Sequence, residues 1–251
     1  MKHTQILMGM TITVEVIDPS VTTDAIGDVF DYFRYVDEKF STYKDTSEIT
    51  RINEGEIPAG DESDDMKTVL SLCESTKHLT NGYFDIRTPA NTLDPSGLVK
   101  GWAIWNAAKL LKKRGYQNFY IDAGGDIQTY GMNADGQPWR IGIRNPFNIG
   151  ENVKIVTLAG DRGMATSGIY ARGQHIYNPH DPVSRIDDIV SLTVIGPNVF
   201  EADRFATAAF AMGRNGIAFI EKLEGCEGYM IDSNGIAIFT PGFEQYSTVY
   251  A

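Results

Sequence analysis

The sequence changes from a helical to a β-type pattern between residues 99–115, VKGWAIWNAAKLLKKRG, and residues 116–131, YQNFYIDAGGDIQTYG. The first stretch ends on three consecutive basic residues followed by Gly115, which is typical of a helix C-terminus. The second stretch holds two short β-type runs, 117–122 and 126–131, on either side of a glycine pair. The chain therefore combines helices with strands that turn back on themselves.

Two further helices are predicted upstream of this point. Apolar residues recur at three- and four-residue steps from 23 to 40 and again from 63 to 80, which indicates amphipathic helices. Residues 5–17 are rich in Ile, Val and Thr and predict a strand or one arm of a hairpin.

The downstream half is dominated by short β-type runs, with two predicted helices at 201–212 and 216–223. The runs are 138–144, 153–159, 189–196, 228–232 and 235–240. Asp135-Gly136 and Asn234-Gly235 are hairpin-turn signals. Because strands and helices do not alternate regularly, we predict an α+β fold with helices packed on a mainly antiparallel sheet. No linker interrupts the pattern, so residues 1–251 are expected to form a single domain.

Composition limits the possible functions. The 251 residues are 42% apolar and 22% charged, which is ordinary for a globular protein, and the net charge of −11 argues against nucleic acid as a partner. Cys73 and Cys226 form no metal-binding spacing and are expected to be buried thiols rather than a disulfide. The sequence has no apolar run of membrane-spanning length, no signal-peptide pattern and no lipid-attachment cysteine near Met1. The chain as written is expected to be cytoplasmic, although a removed leader would leave the same sequence.

Two separated segments predict one metal–phosphate site. On a helix Asp203 and Thr207 are four residues apart and share a face, and a carboxylate with a hydroxyl suits a hard cation such as Mg²⁺. In the other segment Asp94 precedes a glycine turn and Lys100 stands where a helical run opens, an arrangement that favours a phosphate group. Such an acid–hydroxyl pair is also common on ordinary helix surfaces, so neither segment specifies a function alone.

The short motifs of the chain form an ordered series. They are Met8-Gly9, Phe40-Ser41-Thr42-Tyr43, Gly82-Tyr83-Phe84-Asp85-Ile86, Asp94 to Gly101, Asp122 to Ile127, Trp139 to Ile143, Ala165-Thr166-Ser167-Gly168, His175-Ile176 and Ala202-Asp203 to Gly213. In this order the series resembles the ApbE family, the FAD:protein FMN transferases. The match covers nearly the whole chain. The chain resembles a compact form of the family, because only eight residues separate Asp85 from Asp94.

The resemblance implies transfer of FMN from FAD, with Mg²⁺, to a Thr or Ser hydroxyl of a client flavoprotein. A phosphoester bond would form and AMP would leave. The metal ligands carried over are Asp203, Thr207 and the backbone carbonyl of Gly97. Positions that fall where the family contacts FAD are Met8, Tyr43, Tyr83, Phe84, Asp85, Asp94, Lys100 and Ile176.

Three further residues are candidates on chemical grounds. Thr166 and Ser167 offer hydroxyl and N–H groups to a phosphate. His175 is the candidate general base, because a neutral imidazole can take the proton of an attacking hydroxyl. Two alternatives stay open at the same site: an FAD pyrophosphatase that forms FMN and AMP with water as acceptor, and an FAD-binding or storage protein without turnover.

Overall fold

An eight-stranded antiparallel sheet forms the centre of the fold, in a computed structural model that describes residues 1–148, 150–169 and 176–247. Its strands, in spatial order, are β1 (Lys2–Leu7), β2 (Met10–Val16), β3 (Phe119–Ala123), β4 (Asp126–Tyr130), β7 (Arg162–Gly168), β8 (Ile189–Gly196), β9 (Glu227–Asp232) and β10 (Ala237–Phe239). Every neighbouring pair is antiparallel. Two further strands among the described residues, β5 (Trp139–Arg144) and β6 (Asn152–Leu158), pair with each other as a separate ribbon.

The described part of the chain forms six α-helices: α1 (Thr23–Phe40), α2 (Glu48–Asn53), α3 (Asp64–Leu79), α4 (Ser96–Lys113), α5 (Val199–Ala211) and α6 (Gly216–Ile220). Four of them begin at a residue whose side chain accepts a hydrogen bond from a first-turn backbone N–H. These caps are Thr22, Ser47, Ser63 and Asn198. Such capping satisfies donors that have no partner inside the helix and sets where each helix starts.

The elements form three layers: the helices, the central sheet and the ribbon. Side chains of each strand alternate between the two faces of the sheet, so one strand can contact both outer layers. On one face, Val14 of β2 and Val194 of β8 are buried under helices. On the other face, Met164 of β7 and Ile195 of β8 join a cluster with ribbon residues such as Trp139. The helices and the ribbon thus bury opposite faces of the same strands.

The α+β fold with a mainly antiparallel sheet is confirmed, as are the predicted helices at 23–40 and 63–80. Residues 5–17 hold parts of two strands instead of one, because Met8 and Gly9 both have positive φ angles of 53° and 68°. Two such residues in a row form the tight turn that right-twisted hairpins favour. The turn at Asn234-Gly235 does join the paired strands β9 and β10.

Three local expectations were wrong. The turn at Asp135-Gly136 joins β4 to β5, which lie in different sheets, so it closes no hairpin. Strand β7 was missed, because its sequence RGMATSG lacks a β-branched run and its strand state comes from pairing with β4 and β8. Helix α4 begins at Ser96, so Lys100 lies in its second turn and does not open it.

Two other sequence expectations concern cysteines and membranes. Cys73 and Cys226 are buried free thiols, and burial raises the pKa of each to about 12. Across the described residues, no helix combines the length and apolarity needed to cross a bilayer.

Candidate functional site

A cavity of about 600 Å³ opens between the central strands, the ribbon and the facing parts of α4 and α5. Most residues predicted for the site line it: Tyr83, Phe84, Asp85, Asp94, Gly97, Lys100, Thr166, Ser167, Ile176, Asp203 and Thr207. Its volume is in the range of about 300–1,000 Å³ that is usual for small-molecule and cofactor pockets. The fold therefore gathers segments from both halves of the chain around one space.

Three predicted site residues are not part of this lining. Met8 is half-buried in the β1–β2 turn, where it packs against the core beneath α1 and α4. Tyr43 follows α1 and is 96% exposed. His175 lies outside the described residues, although the next residue described, Ile176, lines the cavity.

The start of α5 is fixed against the sheet, and this sets the place of Asp203 and Thr207. The Asn198 side chain accepts a hydrogen bond from the Glu201 N–H at 3.0 Å. The buried side chain of Gln128, on β4, accepts one from the Val199 N–H at 2.8 Å. Asp203 and Thr207 follow on successive turns and both line the cavity.

Helices α4 and α5 touch at the point where the two predicted segments meet. The Gly101 N–H donates to Asp203 Oδ2 at 2.7 Å, and the Thr207 hydroxyl donates to the Gly97 carbonyl at 3.3 Å. Glycine makes this approach possible, because a Cβ on residue 101 would lie 2.6 Å from Asp203 Cβ. A Cβ on residue 97 would lie 3.1 Å from Thr207 Cγ2.

The oxygens at this contact suit a hard divalent cation. Two oxygens bound at right angles to one Mg²⁺, each at about 2.1 Å, are about 3.0 Å apart. The Thr207 hydroxyl and the Gly97 carbonyl are 3.3 Å apart, and Asp203 lines the same cavity as Thr207 and Gly97. Within the described ranges, no group of three or more His, Cys, Asp or Glu side chains forms a metal site. The candidate donor set instead combines one carboxylate, one hydroxyl and one backbone carbonyl.

The electrostatics around Asp203 also favour a cation. Its side chain is buried, with the residue only 3% exposed. Burial raises the pKa of the Asp203 carboxyl to about 7; the positive charge of Lys100 opposes this shift, and the negative charge of Asp126 adds to it. A bound divalent cation would favour the ionised carboxylate in the same position.

Asp126 is the main cavity residue that sequence reasoning did not select. It is 1% exposed at the start of β4, and its Oδ1 accepts a hydrogen bond from the Thr166 N–H at 3.1 Å. Its Oδ2 lies 2.6 Å from the Lys100 ammonium, which is 3.7 Å from Asp203 Oδ1. The Gly-Gly-Asp motif gave a weak signal, because such a triplet is also typical of an ordinary tight turn.

The ribbon supplies a second wall that the sequence also left unassigned. Arg140 and Arg144 of β5 line the cavity and bring positive charge to a chain with a net charge of −11. Facing them is Asp122 of β3, which accepts a hydrogen bond from the Gly125 N–H at 2.8 Å. Burial raises the pKa of Asp122, while the Gly125 hydrogen bond and Arg144 oppose the shift.

The segment after α3 forms the rim of the cavity through internal contacts. The Asp85 carboxylate pairs with Lys77 at 2.7 Å. Phe84 is buried, so it belongs to the core as well as to the lining. Tyr83 packs edge-on against His180, with 4.6 Å between ring centroids. These contacts hold the predicted flavin-contacting positions of this segment in place.

Comparison with known sequences identifies a family. A sequence model described as the ApbE family matches residues 8–91 and 87–230. The FAD:protein FMN transferase of Escherichia coli K12 is 28% identical over 208 residues, which is 76% of this chain and 58% of the relative. The protein of the same name from Vibrio cholerae is 34% identical over 142 residues, 53% of this chain and 42% of the relative. The matched region therefore covers less than two thirds of either curated relative, 58% of the first and 42% of the second.

Comparison with solved structures supports the fold. The ApbE protein of Thermotoga maritima superposes with a TM-score of 0.85 at 18% identity, covering 99% of both chains. The flavin transferase ApbE from Vibrio cholerae gives a TM-score of 0.83 at 24% identity over 98% of both chains. At these identities the likeness concerns the architecture.

Proposed function

Because the chain belongs to the ApbE family, we propose that it is an FAD:protein FMN transferase that depends on Mg²⁺. It would move FMN from FAD to a Thr or Ser hydroxyl of a client flavoprotein, forming a phosphoester bond and releasing AMP. The observation that carries this proposal is the meeting of Asp203, Thr207 and the Gly97 carbonyl at the wall of a cavity of cofactor size. Since this cavity draws on segments from both halves of the sequence, we also propose that residues 1–251 work as one domain.

The metal and the diphosphate of FAD would occupy the α4–α5 end of the cavity. Asp203, Thr207 and Gly97 would hold Mg²⁺ through oxygen atoms, the ligand type that this ion prefers. A bound Mg²⁺ supplies charge neutralisation for a phosphoryl group during transfer. The Lys100 ammonium, which also lines the cavity, would add a second positive charge for the diphosphate.

The rest of the ligand would be held by the other lining residues. Tyr83, Phe84 and Ile176 offer apolar surface to the flavin or adenine ring. Thr166 and Ser167 offer hydroxyl groups from β7. Tyr43 and Met8, outside the cavity lining, stay proposed flavin contacts because of their place in the family motifs. His175 stays the proposed base that takes the proton of the acceptor hydroxyl.

The reaction products test the proposal. Purified protein is mixed with FAD, Mg²⁺ and a panel of flavoprotein domains that contain a candidate Thr or Ser acceptor. We expect a client that keeps its flavin fluorescence after denaturation, with AMP released in equal amount.

Other results of the same assay would support one of the alternative functions. FMN and AMP formed in equal amounts without labelled client would make the protein an FAD pyrophosphatase. Tight binding of FAD without products would make it a storage protein. Absence of FAD binding would refute all three functions.

A further inference from the structure

The Lys100 ammonium lies between two buried carboxylates at unequal distances. Its Nζ is 2.6 Å from Asp126 Oδ2 and 3.7 Å from Asp203 Oδ1. The Lys100 side chain is 20% exposed, against 2% for Asp126 and 5% for Asp203. The ammonium is therefore drawn toward Asp126 and away from the carboxylate proposed to hold the metal.

Asp126 is held in place for this role by the sheet. It begins β4, which pairs with β3 and with β7. Its second carboxylate oxygen is fixed by the Thr166 N–H of β7 at 3.1 Å. Lys100, in contrast, reaches the site on a long flexible stem from α4. The position of the ammonium is thus set by Asp126 more than by the lysine itself.

We propose that Asp126 is a positioning residue that keeps the Lys100 ammonium beside the Asp203 carboxylate without letting it occupy the place of the divalent cation. The inference rests on the metal site of the proposed function. Without the charge of Asp126, Lys100 would close on Asp203 Oδ1, which is already within 4 Å. An ammonium paired with Asp203 would then compete with the divalent ion for the same oxygen.

Metal affinity in the absence of FAD tests the proposal. MnCl₂ is titrated into the wild-type chain and the free ion is measured by electron paramagnetic resonance. Asp126→Asn keeps the shape and the acceptor for the Thr166 N–H but loses the charge. We expect it to weaken Mn²⁺ binding about tenfold or more. The double variant Asp126→Asn/Lys100→Met should return to within about threefold of wild type, because the competing ammonium is gone.

Two comparisons separate the positioning of Lys100 from a general effect of charge and from direct binding of the ion by Asp126. Asp122→Asn replaces one half-buried cavity carboxyl group on the neighbouring strand β3 and should weaken binding by less than about threefold. An equal loss in Asp122→Asn and Asp126→Asn would overturn the proposal, because the effect would then be one of net charge. If the double variant stays as weak as Asp126→Asn, the carboxylate binds the ion directly and the proposal is wrong.

A second measurement on the wild-type protein covers the case in which Asp126→Asn does not fold. We expect the Lys100 ammonium, followed by its ¹⁵Nζ resonance, to exchange its hydrogens at the same rate with and without Mg²⁺, because Asp126 retains the ammonium. Faster exchange on addition of Mg²⁺ would contradict the proposal. Since neither measurement uses FAD, normal metal coupling without FMN transfer would refute the proposed function alone. A wild-type chain that binds no Mn²⁺ would overturn this inference and the metal dependence together.

Discussion

Replacement of Gly101 by alanine tests whether the close contact between α4 and α5 builds the site. The added Cβ would lie 2.6 Å from Asp203 Cβ and 2.9 Å from the Val199 carbonyl oxygen. Carbon atoms in normal contact are about 3.5–4.0 Å apart, so the two helices must separate by about 1 Å. Because the Val199 oxygen belongs to the backbone, rotation of a side chain cannot relieve the clash.

The expected loss of stability follows from two opposing effects. Overpacking of a tight contact costs about 1–3 kcal/mol, and alanine in a helix gains about 1 kcal/mol over glycine. The net loss is up to about 2 kcal/mol, which lowers Tm by up to roughly 8 °C in a chain of this size. The shift also removes the 2.7 Å hydrogen bond from the Gly101 N–H to Asp203, so Mn²⁺ affinity should fall about tenfold.

The assay is thermal unfolding with and without Mn²⁺, with Gly27→Ala as the matched control. Gly27 is also inside a helix, α1, but a Cβ there would have nothing within 4 Å. The control should therefore be unchanged or stabilised by up to about 1 kcal/mol. If Gly101→Ala unfolds at or above the wild-type temperature and binds Mn²⁺ as well as wild type, the close approach of the helices is not needed for the site.

Three other predictions concern charge, capping and thiols. The folded pKa of Asp203 is about 7, against an ordinary value of 3.8, so the metal-free protein holds a proton that the unfolded chain releases. The free energy of unfolding of the metal-free protein should therefore fall as pH rises from 4 to 7, by at most about 1.4 kcal/mol per pH unit. Denaturant titrations at several pH values should show a weaker pH dependence of this free energy for Asp203→Asn than for wild type. An equal pH dependence in both proteins would contradict the raised pKa. Ser63→Ala removes the acceptor for the Met66 N–H at the start of α3 and should cost about 1 kcal/mol, seen as a lower urea midpoint; an unchanged midpoint would exclude this cap. Cys73 and Cys226 should react with a thiol reagent at pH 8 only after unfolding, because both are buried with pKa values of about 12; fast labelling of the native protein would disprove their burial.

Helices with local start and stop signals were predictable from sequence. Helix α1 follows the cap Thr22, and α3 follows the cap Ser63, so each boundary is encoded within a few residues. The start of α4 was not predictable in this way, because Pro95 precedes the helix without a capping side-chain hydrogen bond and Ser96-Gly97 resembles a turn. Strand β7 was hidden for a different reason, since its conformation depends on partners distant in sequence.

Some residues of the candidate site were also predictable from sequence motifs, whereas others join the site only through the fold. Motif order indicated Asp94, Lys100 and Asp203, and the fold brings these residues to one cavity. Asp126 was not selected, because its relation to Lys100 arises only when α4 packs over β4. Arg140 lies within the Trp139 to Ile143 motif but was not selected, because its place in the cavity lining depends on how the ribbon packs against the sheet.

The close packing of each glycine on α4 against a cavity-lining side chain on α5 restricts how this protein can change during evolution. A larger residue at position 97 crowds Thr207, and one at position 101 crowds Asp203. Asp203 has no smaller replacement that keeps a carboxylate, and only serine would keep the hydroxyl of Thr207. Larger residues at these two glycines should therefore be selected against because of the crowding alone, and designed sequence variation is better directed at the rim and the ribbon.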